Sequence, residues 1–100
     1  MRLKPGVDIA GMQPEIGLGL AVADRVYREI TGEGVTITSV KDGKHGRGSL
    51  HYVGLAADLR TRHLETETIG VLLAELRVAL GDDFDVVRES THIHLEFQPK

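Results

Sequence analysis

Between Pro14 and Ile30, Ile16, Leu20, Ala23, Val26 and Ile30 recur at steps of three and four. That spacing predicts an amphipathic helix with one apolar stripe. Pro14 suits its first turn, and Gly32 and Gly34 end it. Gly17 and Gly19 fall inside it, each costing up to about 1 kcal/mol relative to Ala, so the first turns should be either loose or closely packed. The pattern then changes period. Val35-Thr36-Ile37-Thr38-Ser39 is β-branched and alternating, as a half-buried strand should be. Lys41 to Ser49 holds Gly43, Gly46 and Gly48 among charged residues and reads as a loop. From Gly54 to Thr61, Leu55, Ala57 and Leu59 share one parity and Ala56, Asp58 and Arg60 the other, predicting a strand that turns Asp58 away from the apolar side. Thr66 reads as the N-cap of a second helix carrying Ile69, Leu72, Leu73, Leu76 and Leu80 and closed by Gly81. Phe84–Arg88 and His92–Phe97 are two further strands, and the short Glu89-Ser90-Thr91 connection makes an antiparallel hairpin their natural pairing.

Residues 1–13 mix Pro5, Gly6 and Gly11 with single apolar residues and are expected to form an irregular arm. There is no internal repeat and no low-complexity tract. The elements add up to an α+β domain, with two main helices on one face of a small, mostly antiparallel sheet.

Composition narrows the function. One hundred residues with 41% hydrophobic content suit one domain spanning 1–100, and a monomer is the default. The chain has no cysteine, which removes disulfides, thiolate ligands and cysteine nucleophiles. Any metal must be held by imidazole, carboxylate or backbone oxygen. A net charge of -3 with scattered Lys and Arg gives no basic stripe for nucleic acid. No apolar run approaches the roughly 18 residues of a membrane span, and the N-terminus has no signal-peptide core, so the expectation is a protein made in the cytoplasm.

The candidate chemistry lies in histidines and carboxylates. In His92-Ile93-His94-Leu95-Glu96-Phe97 the period of two places His92, His94 and Glu96 on one face. His51 and Asp58 lie seven residues apart across Gly54, so a turn followed by a strand can point both at one spot. Two imidazoles and a carboxylate suit zinc, and three protein ligands leave the open position of a catalytic site. Glu89, at the hairpin turn just before the histidine pair, is the candidate general base for a zinc-activated water. Other features lead nowhere sharper. The glycines of Gly43 to Ser49 match no phosphate-loop spacing. His45 has no defined direction in its loop, and His63 reads as a surface residue. Asp82 and Asp83 read as solvated turn residues.

The run Ser49-Leu50-His51-Tyr52-Val53-Gly54-Leu55-Ala56-Ala57-Asp58, with Glu89-Ser90-Thr91-His92-Ile93-His94 beyond it, resembles the superfamily that joins zinc D-Ala-D-Ala carboxypeptidases to the hedgehog signalling domain. The resemblance covers Val35 to Phe97. It implies a zinc site on the sheet face opposite the helices, with His51, Asp58 and one histidine of the terminal pair as ligands. Members with His-x-His use the second histidine, pointing to His94, while Glu-x-x-His members would select His92. We take His94, because Leu95-Glu96-Phe97 is similar to the stretch after the ligand in related carboxypeptidases. His92 then becomes the candidate donor to a substrate oxyanion.

The same resemblance implies hydrolysis of a peptide bond in peptidoglycan stem peptides, of D,D-carboxypeptidase or endopeptidase type. With the small size and absent signal, it suggests a phage or prophage lysis enzyme of the endolysin type, released to the cell wall by another route. Family peptidases hold a substrate carboxylate with an arginine where this chain has Thr38-Ser39-Val40-Lys41. Lys41 or Arg47 would have to supply that charge, and Ser49 a hydrogen bond to substrate backbone. The hedgehog branch supports a different expectation, a zinc-bearing module that binds a protein or the cell wall without cleaving it.

Overall fold

The computed structural model describes residues 1–40 and 54–99. Among the described residues the elements run in the order β1 (Arg2–Leu3), α1 (Pro14–Thr31), β2 (Thr36–Ser39), β3 (Ala56–Arg60), α2 (Thr66–Leu80), β4 (Phe84–Arg88) and β5 (His92–Phe97). The strands make one sheet in the order β1-β2-β3-β5-β4. Every pairing is antiparallel except β1 with β2. The α+β expectation therefore holds, with α1 and α2 packed together on one face.

The apolar stripes explain that packing. Ile16, Leu20, Ala23 and Val26 of α1 and Leu72 and Leu76 of α2 are buried against Ile37, Ala57, Leu59, Val86, Ile93 and Leu95 of the sheet. Burying each of the Val, Leu and Ile side chains stabilises by about 1.5–3 kcal/mol. Polar anchors add direction. The buried Tyr27 hydroxyl donates to the Arg60 carbonyl at 3.0 Å, fixing α1 to the end of β3. Burial pushes the Tyr27 phenol pKa up, so it stays the neutral donor. Arg77 of α2 donates two hydrogen bonds to the Val86 carbonyl, at 2.8 and 3.1 Å, tying that helix to β4.

The structure amends the sequence-based expectations in several places. The arm is not wholly irregular: the Arg2 amide donates to the Val35 carbonyl at 2.8 Å and that of Lys4 to Ile37 at 2.9 Å, adding a parallel edge strand. Two residues are too few to show a period of two. Thr66 is the first helical residue rather than the cap, a place taken by Glu65 without a capping side chain. Of the two alternatives for the glycines in α1, the second holds at Gly19. The Phe84 ring lies 2.7 Å from where a Cβ would stand, so the missing side chain is what lets that ring pack against the helix.

Candidate functional site

The outer face of the sheet is built by register. Asp58 pairs with His94 and Arg60 with His92 across β3 and β5, while Ala57 pairs with Leu95 and Leu59 with Ile93. The second set is the core, so the first set must point the other way. On the far side of β5, Val87 pairs with His94 and Asp85 with Glu96, and the Glu89 amide donates to the His92 carbonyl at 2.8 Å. Glu89 thus stands beside His92 just past the end of β4, exposed to solvent. On the β2 side the pairing jumps from Ile37–Leu59 to Ser39–Asp58, a bulge that leaves Thr38 over, and the Thr38 hydroxyl donates to the Asp58 carbonyl at 3.4 Å.

His94 is the hub of this face. Its Nδ1 lies 3.0 Å from Asp58 Oδ1 and its Nε2 2.7 Å from Glu96 Oε1. The Asp58 and His94 side chains are 13% and 20% exposed, so the contact is largely shielded from water. The hydrogen bond to Asp58 raises the His94 pKa above its ordinary value, burial opposes that rise, and Glu96 adds to it. His92 Nε2 stands farther from Asp58 Oδ1, at 3.5 Å, and its Nδ1 meets the Thr91 hydroxyl at 3.1 Å.

Residues 21–96 match the family model of the hedgehog amino-terminal signalling domain, about three quarters of the chain. The chain belongs to that family. The match runs from within α1 to Glu96, so it takes in the later part of α1, all of α2, β2 to β4 and nearly all of β5. The hedgehog domain is itself related to zinc hydrolases, which makes its metal chemistry the natural test of these side chains.

Asp58 and His94 fit such an ion in kind and in spacing. A tetrahedral zinc with bonds of about 2.0–2.1 Å sets its donor atoms roughly 3.3 Å apart. The 3.0 Å between His94 Nδ1 and Asp58 Oδ1 needs only a few tenths of an ångström of give. Among the described residues no three such side chains form a complete metal-holding group. The expected third ligand, His51, lies outside the described residues, as do Lys41, His45, Arg47 and Ser49.

This hedgehog-type domain also has cations that the hydrophobic pattern did not single out. Beside His92 a cavity of roughly 170 Å³ is lined by Lys4, Thr38, Arg60, Arg62, Thr91 and His92. Arg60 Nε is buried with no hydrogen-bond partner among the described residues. The parity of β3 already put Arg60 on the face of Asp58. Lys4 reaches the site through the parallel pairing of β1, which left no signal in the pattern. His63 is exposed, and Asp82 and Asp83 lie in the turn before β4, all as expected of surface residues.

Proposed function

We propose that this hedgehog-type domain is a zinc-dependent peptidase acting on peptidoglycan stem peptides, with His51, Asp58 and His94 as the metal ligands. The observation that carries the reading is the Asp58–His94 pair, set face to face on neighbouring strands with His92 and Glu89 beside it. When bound, zinc supplies a Lewis acid for the scissile carbonyl and lowers the pKa of water toward about 7. The chain's own residues do the rest. Glu89 accepts the proton that water loses as it adds to the carbonyl carbon, then returns it to the leaving amine. His92 donates a hydrogen bond to the oxygen on which negative charge develops. The cations of the Lys4, Arg60 and Arg62 cavity suit an acidic part of the substrate, and Lys41 and Arg47 stand as candidates for its carboxylate from the sequence alone. The setting is the cell wall, as for a phage lysis enzyme.

A second reading comes from the family itself, whose model describes a signalling domain. In that reading the same zinc site supports binding without cleavage. Glu89→Gln separates the two. The peptidase reading predicts that purified peptidoglycan releases stem-peptide fragments with the zinc-loaded wild type, and that Glu89→Gln lowers the rate by at least about 100-fold, the usual worth of a general base. Equal zinc content in both proteins with no cleavage by either would favour the binding module.

A further inference from the structure

We propose that Glu96 is the positioning residue of the zinc site, holding His94 so that Nδ1 rather than Nε2 faces the metal. The inference rests on the zinc reading above. A neutral imidazole has one N–H and one lone pair, and the hydrogen bond at one nitrogen decides which role the other plays. His94 is held at both ends. Nδ1 lies 3.0 Å from Asp58 Oδ1, and Nε2 lies 2.7 Å from Glu96 Oε1. A metal shared with Asp58 can reach only Nδ1, so the ring proton belongs on Nε2, donated to Glu96. Glu96 is in turn held by Gln98, whose side-chain amide donates to its second oxygen.

The backbone makes this contact specific. His94 and Glu96 are two residues apart on β5, hence on the same face, and the residue opposite Glu96 on β3 is Ala56, too short to compete for its carboxylate. The carboxylate opposite on β4 is Asp85, which is exposed. The Glu96 side chain itself is 18% exposed and the contact is drier than a surface ion pair. A carboxylate on the far nitrogen of a ligand histidine orients the ring and raises its basicity, and losing such a partner commonly weakens metal affinity about 10–100-fold.

The test is zinc affinity by chelator competition in wild type, Glu96→Ala, Glu96→Gln and His94→Ala, with the His94 ring followed by nitrogen-15 NMR in the zinc-loaded forms. Glu96→Ala should lose about 10–100-fold in affinity, together with the slowly exchanging Nε2–H signal. Glu96→Gln keeps the shape and one acceptor oxygen, so its affinity should fall between the two and the signal should persist. Glu96→Ala binding as tightly as wild type, or a zinc-loaded His94 carrying its proton on Nδ1, overturns the inference. His94→Ala binding as tightly as wild type would instead remove the ligand set itself, a separate failure.

Discussion

His94 is caught between two carboxylates, and without metal that arrangement prefers a protonated ring. Its pKa is raised from the ordinary 6.5, first by the hydrogen bond to Asp58 and then by Glu96, against burial. Linkage then gives a definite sign. The stabilisation from protonated His94 is fully present below the unfolded value near 6.5 and is lost as pH rises through the higher folded value. In chelator-stripped protein, the advantage of wild type over His94→Gln in urea denaturation should therefore be larger near pH 6 than near pH 9. An advantage that grew with pH would contradict the account. Zinc requires the ring deprotonated, so metal and proton compete for the same nitrogen. The faces of these residues were legible from alternation alone: Asp58, His92, His94 and Glu96 all point where the period of two placed them. The 2.7 Å contact of His94 with Glu96 was not, because alternation assigns a face and says nothing of which neighbour on it a side chain meets.

The elements place the site through β3 and β5, central strands whose inner residues lock into the core and so fix the outer ones. Gly54 controls how β3 begins. It is buried at φ +76°, its carbonyl accepts the Gln13 amide at 2.9 Å, and a Cβ there would run into the Gly11 carbonyl. Gly54→Ala meets both a left-handed backbone and a collision with main chain, so it should destabilise by about 2 kcal/mol or more in urea titration. No loss would mean that the arm does not press on the site strand as described. The helices, the hairpin and the α+β class were readable because each is long enough to show its period. Strand β1 was not, being two residues long, and the bulge at Thr38 was not, because a register shift leaves no trace in local alternation.

Across the whole molecule, helices and core occupy one side of the sheet, and the other side presents two proposed metal ligands, a flanking acid and a cationic cavity. No helix among the described residues is long and apolar enough to cross a membrane. A domain of this size has a small core, and a bound ion adds stability by mass action, about 4 kcal/mol at a thousandfold excess over its dissociation constant. The central claim is that His51, Asp58 and His94 hold one zinc ion, and the most direct test is zinc titrated into chelator-stripped wild type and into His51→Ala, Asp58→Ala, His92→Ala and His94→Ala. The account predicts one zinc per chain in wild type and His92→Ala, and loss of that zinc in the other three. No zinc in wild type, or zinc kept by His94→Ala and lost by His92→Ala, would contradict it.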